Sequence, residues 1–310
     1  MKNLTRKLML SIVAIALVVI ALGTSTFAWF TLSNKASVGQ FNAEVTAGQG
    51  MELSLDGNNW YSTIPADVIQ QKIADSFTAG TLNNETIGEP ILTAVTTTDL
   101  VEYKYFNSTT REWGNAVANK DYIKLNIQVR AVGLVKVSIN VITVTGTSKT
   151  WNSDVAFAGA KGPVSQGGAV TVDAAYGARI GINPLTNLIS SEGNTPFADK
   201  FVFENADSPT NTVLGGPALP TSTNGQAAYY LAKSGINPNI TGTTPPTAVI
   251  ESQQTVDATV GEQVLSLLVG TPYNTGNFDL LVWFEGFDPD TYDSILKMPL
   301  NIKMSFIGAE

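Results

Sequence analysis

The 310-residue chain has no cysteine and no histidine, and this double absence closes several routes to function. Without cysteine there is no disulfide framework. Without thiolate or imidazole there is no zinc site of the usual kind, no Ser-His-Asp or Cys-His machinery, and no haem held by His or Cys. Any metal has to be a hard cation held by oxygen. Charge is scarce as well: 14% of residues are Asp, Glu, Lys or Arg, against roughly 25% in an average soluble domain. The charge that is there leans acidic, with 18 basic against 26 acidic residues and a formal net charge of −8. Nucleic acid is thereby disfavoured as a partner, because phosphate binding needs a basic stripe. At 44% hydrophobic the chain is far too apolar for disorder, so a folded protein with a largely uncharged polar surface is expected.

The chain begins with an export pattern. Lys2, Arg6 and Lys7 precede an apolar run, Leu8–Leu22, broken only by Ser11. A basic segment followed by such a run marks a secretory signal, residues 1–28 here. Thr26 and Ala28 put small residues at −3 and −1 relative to Trp29, so a signal peptidase is expected to cut before Trp29. Fifteen residues of apolar run fall short of the ~20 of a spanning helix. Adding Gly23 to Phe30 stretches them to a marginal span, and retention as a membrane anchor stays open as the alternative. Loss of residues 1–28 leaves 282 residues with 15 basic and 26 acidic groups, net −11. The expectation is an acidic exported protein, extracellular or at the cell surface, meeting the membrane only through its signal segment.

Beyond the signal, strand patterns dominate. In residues 122–131, Ile123, Leu125, Ile127, Val129 and Ala131 alternate strictly with Lys124, Asn126, Gln128 and Arg130, the period of a half-buried strand. Residues 135–141 repeat the alternation, and the two segments read as an antiparallel pair with one wet face. Residues 297–306 alternate again, with Pro299 marking an edge or a strand start because it lacks a ladder donor. Residues 278–284 are nearly continuous in apolar side chains, which predicts a central strand covered on both faces. Further strands are expected at 50–55 (turning through Asp56–Asn59 into Trp60), 92–96, 101–106, 168–173, 178–182, 201–204, 227–232 and 264–269. A helix is expected over 65–77, with Ile69, Ile73 and Phe77 on one stripe, and a shorter one near 290–295. Polar Gly-, Pro- and Thr-rich connections fill 206–225 and 234–262. The predicted architecture is all-β: one two-sheet antiparallel sandwich over 39–310, jelly-roll-like, with long decorated loops.

The most informative stretch follows the cleavage point. Phe30, Leu32, Ala36 and Val38 share one strand face, interrupted by Asn34, before Gly39 lets the chain turn. Cleavage before Trp29 creates a free amphipathic strand, 29–38. Such a strand pairs within its own domain, which protects an edge without loss of association entropy, or it is donated to a groove on the next subunit. Head-to-tail donation need not close on itself, and an open repeat is a filament.

These residues also carry a resemblance. A Lys/Arg-led apolar signal ending in Thr26-Phe-Ala-Trp-Phe-Thr31, followed by Gly39-Gln-Phe-Asn-Ala-Glu-Val-Thr46, resembles the N-terminus of the TasA/camelysin proteins, which are exported with a SipW-type signal peptidase. Val282-Trp-Phe-Glu-Gly-Phe-Asp-Pro-Asp290 and the alternating strand after it resemble the closing segment of related exported proteins. The likeness is confined to the two ends, and the chain is longer than the family's usual members. It implies a jelly-roll subunit of a biofilm matrix or surface fibre that polymerises by donor-strand complementation, with itself as partner and the donor on Trp29, Phe30, Leu32, Ala36 and Val38.

Other candidate sites are weaker. Asp288, Asp290 and Asp293 gather oxygens that could meet Ca²⁺, but their spacing fails the EF-hand pattern. The competing reading has Asp290 cap the short helix while Asp288-Pro289 opens a turn. Asn84, Asn107 and Asn239 open Asn-x-Ser/Thr triplets, acceptors only in a host that glycosylates exported proteins. Trp60, Trp113, Trp151 and Trp283 fit core or turn packing better than a sugar platform. No carboxylate pair is marked out for glycosidase chemistry, no catalytic residue is assigned and no cofactor is implied. A type IV pilin is disfavoured because no acid precedes Glu44. Two classes remain: a filament subunit, and a non-polymeric cell-surface β-sandwich that binds glycans or a receptor through its loops.

Overall fold

A computed structural model describes residues 36–37, 41–76, 91–97, 99–107, 112–185, 201–205, 225–235, 262–286, 288, 290–292, 295 and 298–310. In chain order the first half carries β1 (Ala36–Ser37), β2 (Phe41–Thr46), β3 (Met51–Ser54), β4 (Thr63–Ile64), helix α1 (Ala66–Ser76), β5 (Ile91–Leu92), β6 (Ala94–Thr97), β7 (Tyr103–Asn107), β8 (Glu112–Asn115) and β9 (Ile123–Ala131). The second half carries β10 (Lys136–Gly146), β11 (Lys149–Asn152), β12 (Phe157–Gly159), β13 (Gly162–Val164), β14 (Ala169–Val172), α2 (Ala174–Gly177), β15 (Ala178–Pro184), β16 (Phe201–Glu204), α3 (Gly225–Ser234), β17 (Glu262–Ser266), β18 (Asn274–Glu285) and β19 (Leu300–Ala309).

The result is an all-β sandwich. One sheet runs β17-β10-β19-β2-β4. The other is built on β18, with β15 and β16 beyond one edge and β9 and β3 beyond the other. Most pairs are antiparallel, but β2 lies parallel to β19, and β6 lies parallel to the end of β18. The periodicity of residues 123–131 is realised in full, with every second residue of β9 buried. Ile127 and Val129 of β9 and Phe278 and Leu280 of β18 share one core with Val137 and Ile139 of β10 and Ile302 and Phe306 of β19. Phe278 and Phe306 meet with ring centroids 5.4 Å apart.

Three expectations need correction. β9 and β10 are not paired with each other: β9 lies between β18 and β3, and β10 between β17 and β19. The link 132–135, with Gly133 at φ +74°, carries the chain from one sheet to the other, so both apolar faces meet in the core. Within β10 the register against β19 shifts between Ile139 and Val141. The bulge turns Val141 outward and brings Ile142 and Val144 in, as one extra residue does to a period of two. Residues 227–232 are helical, not a strand. Ala227, Ala228 and Ala232 favour helix, and Gly235 at φ +69° ends it by donating its N–H to the Leu231 carbonyl, the left-handed cap that suits glycine.

The helix expected over 65–77 is present as α1, with Ile69 and Ile73 buried. Where a shorter helix is expected near 290–295, Thr291 N–H donates to the Asp288 carbonyl and Ile295 N–H to that of Tyr292, Ile295 lies in a 3₁₀ turn, and residues 293–294 lie outside the described residues. Pro299 stands just before β19, at a strand start. The turn at Asp56–Asn59 is held by the Asp56 carboxylate, which accepts from the N–H of Asn59 and Asn58 at 2.8 and 2.9 Å. Those bonds keep Asp56 well below the usual carboxylate range.

Both flanks of the sandwich are stitched by hydrogen bonds. Tyr61 exchanges backbone bonds with Leu53 of β3, the Ser62 carbonyl accepts from Ala47, and Ile64 of β4 pairs with Val45 of β2. On the other side Leu267 N–H donates to the Val135 carbonyl, and Leu268 exchanges bonds with Thr275.

β18 is buried on both faces, as its apolar run predicts. Its outer face, Leu281 and Trp283, packs with Val95, Leu100, Tyr103, Tyr122 and Val202 in a second cluster. Tyr103 stacks on Tyr122 at 4.0 Å and meets Trp283 edge-on at 5.5 Å. Burial, reinforced by the charge of Asp279, pushes the Tyr122 hydroxyl up to about 12. Burial likewise raises Tyr103 and Tyr292 above the ordinary phenol value. A raised folded-state pKa stabilises the fold below the unfolded value of about 10 and loses that stability as pH climbs through the folded value. On alkaline titration Tyr103, Tyr122 and Tyr292 should therefore ionise only together with loss of far-UV circular dichroism, above about pH 10.

Candidate functional site

The candidate donor strand is described only at its C-terminal end. Ala36 and Ser37 form β1, paired antiparallel with Leu92 and Ile91 of β5. Trp29, Phe30, Leu32 and Val38 lie outside the described residues, as do the signal positions Thr26 and Ala28. The β1–β5 ladder belongs to neither large sheet. Its partner β5 is anchored, because Leu92 is fully buried in the main core and the next residue, Thr93, bonds Asp121 through both backbone and side chain. β5 leads into β6, whose Ala94 is level with Phe284. β1 therefore sits at the end of the sandwich where β2 and β19 begin and β18 ends.

The opposite end has a different surface. The Val132 N–H donates to the Gly50 carbonyl, the Asn274 side chain donates to the Leu134 carbonyl, and Gly270 N–H donates back to Asn274. Beside these loops Arg130 lies between the rings of Trp60 and Tyr273, 4.3 and 4.7 Å from their centroids. Its guanidinium pairs with Glu52 at 2.6 Å.

The acidic group near the C-terminus is organised around a cation that the sequence reading did not connect to it. Arg179, buried in β15, stands level with Glu204 of β16 and Trp283 of β18. Its Nη2 donates to Asp288 Oδ2 at 2.6 Å and lies 3.2 Å from Glu204 Oε1, while Nη1 donates to the carbonyls of Tyr176 and Ala178. Burial opposes the charge, but the carboxylates of Asp288, Glu204 and Glu285 outweigh it and hold the guanidinium above its ordinary value. Asp288 Oδ1 also accepts the Asp290 N–H at 2.7 Å.

Asp288 thus faces Arg179, and Asp293 lies outside the described residues. Among the described residues no three His, Cys, Asp or Glu side chains gather as a metal site. A charge inside an otherwise apolar strand, Ala178-Arg-Ile-Gly-Ile182, was the available signal for this cluster.

Of the glycosylation candidates, Asn107 closes β7 opposite Glu112 in the β7–β8 hairpin, whereas Asn84 and Asn239 lie outside the described residues. Trp151 packs edge-on against Tyr229 and Tyr292, and Trp283 is buried, both in the packing roles expected of them. No helix among the described residues is long and apolar enough to cross a membrane. Set beside family models, curated proteins and solved structures, the chain matches none.

Replacing Arg179 by Met strands Glu204 and Asp288 without their cation. Urea unfolding should show a loss of about 3–5 kcal/mol, the range for breaking a buried pair. Adding Glu204→Gln and Asp288→Asn to Arg179→Met should recover much of it.

Proposed function

We propose that the chain is the subunit of an extracellular or cell-surface filament that grows head-to-tail by donating its N-terminal strand. In this reading residues 1–28 direct export and are removed by a signal peptidase. Residues 29–38 form the donor segment, held to its own subunit at Ala36–Ser37 and donated through residues 29–35, and the protein's partner is another copy of itself. What carries the reading is the amphipathic pattern of residues 29–38 behind an expected cleavage point; the Ala36–Ser37 ladder with β5 of the same chain, outside both large sheets, marks where that segment joins its own subunit. The apolar face of Phe30, Leu32, Ala36 and Val38 supports it further, because a strand with such a face has to bury it. The resemblance of both chain ends to exported fibre proteins points the same way.

Among the described residues, the core that joins β9, β10, β18 and β19 draws on residues from Ala43 onward. No step of this function requires catalysis or a cofactor.

Electron microscopy of the chain starting at Trp29, beside one starting at Gly39, tests the reading. Filaments are expected from the first and single particles from the second, with matching circular dichroism. Folded single particles from both would remove the mechanism and favour glycan or receptor binding by a non-polymeric sandwich.

A further inference from the structure

Of the eight exposed large apolar side chains among the described residues, four collect at the end of the sandwich away from β1. Val132, Leu185, Leu268 and Val269 are 64%, 44%, 46% and 81% exposed. Backbone bonds bring them together. Leu268 exchanges both of its bonds with Thr275, and Leu185 N–H donates to the Asn277 carbonyl two residues further along the same edge of β18. Val132 directly follows Ala131, which is level with Asn274 across the other edge. Tyr273, stacked on Arg130, extends the patch. Single exposed apolar residues are ordinary, whereas several held at one end of a sandwich mark a candidate interaction surface.

We propose that this end patch receives residues 29–35 of a second copy of the chain. The inference rests on the filament reading and adds which surface accepts the donor. Two observations select this occupant. The first is polarity: Ala36 is held by Leu92 beside the end of β18, and the patch surrounds the start of the same strand, so donor and acceptor lie at opposite ends of one subunit.

The second is charge. Residues 29–38 contain Lys35 and no acid, whereas the chain from Trp29 onward is net −11. This segment approaches an acidic neighbour with attraction, where two whole subunits repel. Donor at one end and acceptor at the other is a heterologous contact that repeats without closing.

The absence of cysteine makes the test clean. Leu32→Cys in one batch of the chain starting at Trp29 is mixed with Val269→Cys in another and oxidised. Leu32→Cys with Thr143→Cys, an exposed position on the outer face of β10, is the control. The expected result is at least tenfold more disulfide-linked dimer from the first mixture than from the control. Equal yields would overturn the assignment of the acceptor, and so would a fast intrachain link in the dilute double variant Leu32→Cys/Val269→Cys. Unmodified chain is imaged in parallel. Filaments without the selective cross-link defeat this acceptor and leave the filament standing, whereas no filaments and no cross-link defeat both. The exposed double variant Leu268→Ser/Val269→Ser should raise the concentration needed for filaments about tenfold while its melting temperature stays put. Unchanged assembly of that variant would also count against the patch.

Discussion

The whole molecule hangs on β18, a strand with no wet face. Every residue from Phe278 to Glu285 is buried, so each face needs its own cover. The inner face is met by β10 and β19 across the core, and the outer face by the β6–β8 layer with its tyrosine pair. Non-directional burial drives both contacts, but the alternation of the strand decides which side chain serves which layer. A buried charge in these layers needs partners, and Arg179 meets that need through Glu204 and Asp288. The cluster ties β15, β16 and the segment after β18 into one unit.

Individual strands were easy to read from the sequence, and their partners were not. Ile123 to Ala131 and Leu300 to Phe306 announce themselves because one face is wet and the other dry. Sequence neighbours were expected to pair, yet residues 132–135 cross the sandwich, since two apolar faces gain more by meeting in the core than by lying side by side in one sheet. The bulge near Asn140 was hidden because it breaks the very period used to find the strand. Ala227–Ala232 misled for a different reason: its tyrosines suit a strand, and the decisive signal was Gly235, just beyond it. The parallel pairing of β2 with β19 joins residues some 250 positions apart, and nothing local encodes it.

The candidate site was legible in part. The expected export signal and the amphipathic stretch after it are read from the sequence alone, and the pairing of Ala36 and Ser37 with β5 is a product of the fold. The end patch was not legible at all, because Val132, Leu185, Leu268 and Val269 come from three separate connections and become neighbours only through the start of β18. Asp288 was noticed for its acidity, but its partner Arg179 lies more than a hundred residues away. The proposed assembly would place its determinants at opposite ends of the sandwich, where a motif cannot record them.

The measurement that bears most directly on strand donation is hydrogen–deuterium exchange of the chain starting at Trp29, dilute and assembled. Donation predicts that amides of residues 29–35 exchange freely in the dilute chain and become strongly protected on assembly, with the core amides of β18 unchanged. Equal exchange of residues 29–35 in both states, with filaments present, would contradict it.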